Sequence, residues 1–429
     1  MLSAIDKTQK EELAAYLQNR SQEISADILA KAAAIIDEVR KDKDNALKKY
    51  TELFDQVSLD DFEVSKEELE EAASKADADF VAALEDASKN IYEYHEAQKK
   101  EGYRIERSNG AFLGQRIMPL ASAGIYVPGG RAQYPSSVLM NAIPAKVAGV
   151  REIIMVTPPS KSGSINPNIA AAAKVAGITR IFKVGGAQAI AALAYGTQSI
   201  PAVDKIVGPG NIFVAAAKKL VFGKTDIDMI AGPSEILVIA DENANPAYAA
   251  ADLLSQAEHD PMASAILISN SKKMIDAVNK ELRIQTDRLP KKAIIEESLK
   301  NYGKSILTDT LEEAVDISNA IAPEHLELLV EDPMALLDQV KNAGSVFLGY
   351  YTCESVGDYF GGTNHVLPTS GTARFSSPLG VDSFVKKSSY LYYPKEVLLD
   401  EGKRIINLAE HEDLDAHANA VSVRLNNEN

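Results

Sequence analysis

The chain of 429 residues has no tryptophan and one cysteine, Cys353. A single thiol rules out an intrachain disulfide and a Cys-rich structural zinc site. That usage fits a reducing compartment. No stretch approaches the ~18 apolar residues of a membrane span. The opening "MLSAIDKTQKEELAAYLQNR" has no apolar core segment of a secretory signal, so the expected location is the cytoplasm. Positive charge is also scarce: 45 Lys and Arg stand against 61 Asp and Glu, a formal charge of −16. A surface that negative argues against nucleic acid and anionic membrane as partners. An anionic ligand must then be met by local groups such as helix N-termini.

What is present is an ordinary globular composition, with 46% hydrophobic and 25% charged residues. The length predicts roughly two to three domains. Up to about residue 100 the pattern is helical, as in "SADILAKAAAIIDEVRKDKDNALKKYTELF". Ser65, with Glu68 three residues on, resembles a capping box. From residue 121 short apolar runs alternate with Ala-rich helical stretches. They are joined by Gly/Pro turns: "AGIYVPGG", "REIIMVTPP", "TRIFKV", "VDKIVG" and "SEILVIAD". This texture predicts parallel βαβ units. The alternation resumes with "ASAILIS", "KSILTD", "LEEAVDISNAIA", "HLELLVE" and "GSVFLG".

The expected fold is therefore α/β, with two Rossmann-like, incomplete open-sheet domains, a helical N-terminal region and a short C-terminal tail arm. The expected divisions are an N-terminal helical arm at 1–22 and a main domain of 23–120 plus 234–378. An inserted domain at 121–233 and a tail at 379–429 complete the chain. The tail is too short to hold a core alone, which suggests packing on a second subunit.

Two nucleotide motifs fail. "VGPGNIF" is not GxGxxG, because Phe213 stands at the last glycine position. "GKT" at Gly223–Thr225 would need a glycine at Lys218, and it ends a helix rather than starting one. Three strand-to-helix turns remain, "VPGGR", "VGGAQ" and "VGPGN". On a parallel sheet such turns share the carboxyl edge, where ligands bind, although tight packing alone also asks for them.

Of six histidines, His95 lies alone in a helix and reads as structural or solvated. His259 follows Gln256 by three at a helix end, "SQAEHD", so both project from about one face. His325 directly follows Glu324, and His365 follows Asp358 by seven in "GDYFGGTNHVLP". His411 and His417 flank "HEDLDAH". Each taken singly reads as structural. Together they supply donors for a mixed N/O metal site and an acid/base pair. Linear spacing does not show that they converge.

Long strings of the chain resemble the histidinol dehydrogenases. They are "GIYVPGGRAQYPSSVLMNAIPAKVAGV", "VGGAQAIAALAYGT", "KIVGPGNIFVAAAKKLVFG", "DMIAGPSEILVIAD", "ADLLSQAEHDP", "APEHLEL" and "GDYFGGTNHVLPTSGTARFSSPLGVDSF". The first hundred residues are similar only in helical character. The resemblance implies a homodimeric enzyme using one Zn2+ per subunit. It would oxidise L-histidinol to L-histidine with two NAD+, as the last steps of histidine biosynthesis. It implies Gln256, His259 and Asp358 as metal ligands from one subunit and His417 as the fourth from the partner's tail. Glu324 and His325 correspond to the acid/base pair. Ser234, His365 and Glu412 correspond to substrate contacts, which the four ligands and His325 also make. Tyr126, Gln188 and Asn211 correspond to NAD contacts.

The chain departs from the family at Asp413, where a glycine is usual, and at Tyr350 and Cys353, where prolines are common. Two other readings of the same residues are a metal-dependent hydrolase, for which 121–233 is scaffold, and a two-domain binding protein, which has no need of an adjacent Glu-His pair.

Overall fold

The computed structural model describes residues 1–5, 24–129 and 134–426. Most of the expected arm at 1–22 lies outside them. Its described start, β1 (Ser3–Ile5), is a strand and not a helix. Helices α1 (Ala26–Asp42), α2 (Asp44–Asp55), α3 (Lys66–Ala73) and α4 (Ala78–Glu96) follow. Ser25, Ser65 and Asp77 cap three of them through side-chain oxygens that accept backbone N–H groups. At Ser65 only half of the capping box forms. Glu68 donates its N–H to Ser65, but its carboxylate pairs with Lys183 at 2.9 Å.

After β2 (Tyr103–Glu106) and β3 (Phe112–Pro119), the chain alternates strands and helices. The first series is β4 (Ser122–Tyr126), α5 (Pro135–Ala148), β5 (Glu152–Thr157), α6 (Pro167–Ala176) and β6 (Arg180–Lys183). It continues through α7 (Gly186–Tyr195), β7 (Lys205–Val207), α8 (Ile212–Val221) and β8 (Asp226–Ile227). The second series runs β9 (Glu235–Ala240), α9 (Pro246–Ala257), β10 (Ser264–Ser269), α10 (Lys272–Thr286), α11 (Lys292–Tyr302) and β11 (Gly303–Leu307). It ends with α12 (Leu311–Ile321), β12 (His325–Leu329), α13 (Pro333–Leu337), β13 (Ser345–Leu348) and α14 (Glu354–Tyr359). Last come β14 (Val385–Tyr392), α15 (Lys395–His411) and α16 (Asp415–Asn426).

Two parallel open sheets result, as expected. The five-stranded sheet has the order β6-β5-β4-β7-β8, and the six-stranded one β1-β11-β10-β9-β12-β13. In both, the strand order reverses beside the first strand of the series, between β4 and β7 and between β9 and β12. Helices cover both faces of each sheet, which is why the strands read as nearly unbroken apolar runs.

The domain expectation needs correction in two places. Residues 26–96 do not join the 234–378 sheet. Helices α3 and α4 share a core with α5 and α6, while α1 and α2 share one with α7 and α8, so they cover the two faces of the five-stranded sheet. The segment between α2 and α3 is tied to the edge strand β6. Val64 N–H donates to the Ile181 carbonyl at 2.8 Å, and Lys183 N–H donates to the Phe62 carbonyl at 2.8 Å. The sheet's edge groups and apolar faces need cover, and these helices supply it. Residues Lys99–Pro119 form a second compact unit with Val385–Asn429, and the first unit extends to Phe384. In that unit β14 and β2 flank β3 as an antiparallel sheet, and α15 packs on α16. The tail thus shares its packing with a hairpin far upstream.

Of the two readings of His95, structural or solvated, the structure supports the first. It is fully buried, with Nδ1 2.9 Å from Gln98 Oε1 and Nε2 3.3 Å from Asn364 Nδ2.

Asp55 ends α2 with its Oδ2 buried and without a hydrogen-bond partner among the described residues. Burial pushes its carboxyl up to about 6 from 3.8. A raised carboxyl pKa means the folded state holds the proton more tightly than the unfolded chain. The associated stability is present below about pH 4 and lost as the pH rises through 6. Asp55→Asn removes the ionisable group. At pH ~8 it should stabilise the protein by about 1 kcal/mol, allowing for partial exposure, with little effect near pH ~4. Urea unfolding at the two pH values checks this, and an equal shift at both would show that the charge is not the cause.

Candidate active site

Tyr126 ends β4 and is 3% exposed. Its hydroxyl accepts the Gly186 N–H at 3.1 Å, and burial pushes its pKa up to about 12. Gln188 stands in the first turn of α7, buried, with no hydrogen-bond partner for Oε1 among the described residues. Asn211 caps α8, its Oδ1 accepting from the N–H groups of Phe213 at 3.0 Å and Val214 at 3.2 Å. All three lie at or just beyond the carboxyl ends of β4, β6 and β7, and β4 and β7 flank the point where the strand order reverses.

The turn before Asn211 is rigidly held. Gly208 has φ 110°, and a Cβ there would lie 2.1 Å from the Tyr126 carbonyl oxygen. Its N–H donates to Asp228 at 2.8 Å, its carbonyl accepts from Lys218 at 3.0 Å, and Lys218 and Asp228 form a buried ion pair. Of the "VPGGR" turn, Gly130 and Arg131 lie outside the described residues.

The other group of residues belongs to the amino edge of the six-stranded sheet. Glu324 precedes β12 and His325 opens it; Ser234, half-buried, precedes the neighbouring β9. Glu324 Oε2 accepts the Glu235 N–H at 2.8 Å. His325 Nδ1 lies 2.9 Å from the Glu235 carbonyl oxygen, which can only accept, so Nδ1 carries the proton. In the neutral ring Nε2 is then the basic nitrogen. It is buried, lacks a hydrogen bond among the described residues, and sits 3.4 Å from Asp358 Oδ1. Burial pushes Glu324 upward. Burial alone would lower His325, but the facing Glu324 and Asp358 carboxylates outweigh it and raise its proton affinity.

Gln256 lies in the last turn of α9, 1% exposed, and His259 just beyond it. Their spacing holds: His259 N–H donates to the Gln256 carbonyl at 3.1 Å. His259 is exposed as a residue, and its ring stacks on Tyr134 at 6.5 Å. Burial lowers its pKa despite nearby Asp358, favouring the neutral, ligating imidazole. Burial would raise Asp358, but His325, His365 and His259 outweigh it and hold it below the usual carboxylate range. Asp358 lies in α14, and its carbonyl accepts from His365 Nδ1 at 3.0 Å. His365 Nε2 is 3.3 Å from Ser137 Oγ, in the first turn of α5. The Ser137–His365 and Tyr134–His259 contacts join the carboxyl edge of one sheet to the amino edge of the other.

The structure thus brings Glu324, His325, Asp358, His259 and His365 into one electrostatic cluster, while Gln256, one helical turn before His259, bonds to Glu354. Glu412 follows α15 and His417 lies in α16, both exposed and both in the second unit. Among the described residues no three His, Cys, Asp or Glu side chains stand close enough to hold a metal ion. The first unit offers two such groups, His259 and Asp358, plus the Gln256 amide. No described residue donates to Gln256 Oε1, and an amide oxygen, an imidazole and a carboxylate make up a donor set whose chemistry suits a borderline divalent cation. A fourth ligand is needed for a closed tetrahedral shell. Asp413 takes φ 56°, the left-handed conformation that a glycine there would favour.

Ser137 and the buried Glu354 were not singled out in the sequence. Ser137 is a polar residue in a helix otherwise apolar nearly all round, which is a weak signal. Glu354 opens α14, in a stretch whose sequence reads as irregular, and gives none.

The family profile described as histidinol dehydrogenase matches residues 18–425. A histidinol dehydrogenase of Clostridium acetobutylicum is 56% identical over 408 residues, 95% of each chain. That of Lactococcus lactis is 50% identical over 427 residues, 99% of each chain. The crystal structure of histidinol dehydrogenase from Elizabethkingia anophelis superimposes with a TM-score of 0.93 at 40% identity, covering 99% of this chain and 98% of that one. The two open sheets, the clustered Glu-His pair and a match along nearly the whole chain agree: this chain belongs to the histidinol dehydrogenase family.

Proposed function

We propose that this chain oxidises L-histidinol to L-histidine through histidinal, with two NAD+, as a zinc-dependent homodimer in the cytoplasm, completing histidine biosynthesis. The observation that carries the reading is His325: its Nδ1 is tied to a backbone carbonyl, and its basic Nε2 is buried, makes no hydrogen bond among the described residues and faces Asp358 Oδ1 at 3.4 Å, with Glu324 adjacent. No described helix is long and apolar enough to cross a membrane.

Gln256, His259 and Asp358 hold the metal from one subunit, and His417 of the partner subunit completes the shell. When bound, Zn2+ supplies a Lewis-acidic anchor for the amine and imidazole of histidinol, and NAD+ supplies the hydride acceptor. Ser234, His365 and Glu412 orient the substrate. Tyr126, Gln188 and Asn211 bind NAD+ at the edge of the five-stranded sheet.

His325 Nε2 takes the hydroxyl proton as the carbinol carbon loses hydride, which yields the aldehyde. The second oxidation requires water to add to the aldehyde. Glu324, held through Oε2 by the Glu235 N–H, takes a proton from that water. His325 returns its proton to the aldehyde oxygen as the water adds, which forms the gem-diol and frees Nε2. The gem-diol then gives a proton to His325 as its carbon loses the second hydride, and the carboxylic acid sheds its proton to solvent, leaving the carboxylate. Retaining the aldehyde between steps prevents its loss.

Dialysis against a chelator should abolish NADH formation from histidinol, and Zn2+ or Mn2+ should restore it. Full turnover by protein shown to be metal-free would reject the proposal.

A further inference from the structure

We infer that Glu354 is a positioning residue that holds the Gln256 amide with its oxygen toward the metal. The inference rests on the metal reading above. A glutamine amide presents two ends of nearly equal size, but only the oxygen has a lone pair suited to a cation. Without an outside constraint, either end can face the site. Gln256 is 1% exposed, and its Nε2 donates to Glu354 Oε1 at 3.0 Å.

The Glu354 carboxyl meets two hydroxyls besides the Gln256 amide, and the Ser255 hydroxyl is shared with the Asp252 carbonyl at 2.6 Å. Glu354 Oε2 accepts from Ser255 Oγ at 2.8 Å and from Ser355 Oγ at 3.3 Å. A carboxylate can only accept, so the end of Gln256 that meets it must be the NH2. The oxygen is then the end left over, and no described residue donates to it.

Glu354 is itself anchored. Its N–H donates at 2.8 Å to Oε1 of Glu327, a fully buried residue of β12, the strand that His325 opens. Asp358, the carboxylate ligand, stands one turn later in the same helix. One short helix thus carries a ligand and the group that orients another ligand. Outer partners of this kind commonly change metal affinity by about 10- to 100-fold.

The test measures Zn2+ affinity of the full-length protein by competition with a chromogenic chelator, with circular dichroism confirming the fold of each variant. Glu354→Gln offers either amide end to Gln256 and should weaken Zn2+ binding about 10- to 100-fold. Gln256→Glu alone sets two carboxylates face to face. Combined with Glu354→Gln it restores a donor–acceptor pair in reverse, with the new amide at 354 donating to the new carboxylate at 256. The fold-change caused by Gln256→Glu should therefore differ by about tenfold or more between the two backgrounds, in favour of the double variant. A merely structural role for Glu354 would make the two changes additive. Unaltered affinity in Glu354→Gln, or additive effects, would overturn the inference while the metal reading stands. Wild-type protein that binds no Zn2+ would overturn both.

Discussion

A heterodimer that joins a His417→Ala subunit to a Gln256→Ala/His259→Ala subunit should regain about half of wild-type activity, although each parent homodimer is nearly inactive. The proposed site draws Gln256, His259 and Asp358 from the first unit of one subunit and His417 from the second unit of its partner. In either parent homodimer both sites lack a ligand. In the heterodimer one site carries both defects and the other carries none. Co-expression with two different affinity tags isolates the heterodimer for assay. If the tail closed on its own subunit, every site would keep one defect. Verified heterodimers that stay inactive would reject the shared site and leave the dehydrogenase assignment intact.

Glu324→Gln should separate the two oxidations. The amide keeps an oxygen that can accept the Glu235 N–H, so the local structure survives, but it cannot take a proton from water. Loss of a positioned general base costs about 10²- to 10⁴-fold. That loss should fall on oxidation of supplied histidinal, while the alcohol step retains most of its single-turnover rate. His325→Asn should slow both steps, since each needs a proton acceptor at Nε2. Unimpaired histidinal oxidation in Glu324→Gln would remove Glu324 from the water-activating role.

Much of this architecture was legible in one dimension. A strand buried on both faces has to be apolar throughout, and a helix that covers it has to be apolar on one side. The alternation from residue 121 onward therefore reported two parallel sheets without any contact being known. The turns at Gly185–Gly186 and Gly208–Asn211 were legible because a chain passing from strand to helix at such close quarters leaves no room for a Cβ. The pairing of Gln256 with His259 was also local, since helical spacing places both near one helix end.

What one dimension could not report is which element each surface meets. The helices of residues 26–96 have apolar stripes that would suit either sheet, and the structure places them on the five-stranded one. The hairpin at 99–119 finds β14 across most of the chain. Asp358 approaches His325 only because α14 returns to the amino edge of β12. Glu354 is one glutamate among many in the sequence; it gains meaning from the amide it faces. Backbone periodicity follows from the nearest few residues, so local pattern carries it. The meeting of distant side chains depends on strand order, crossover and burial, which no single stretch of sequence contains.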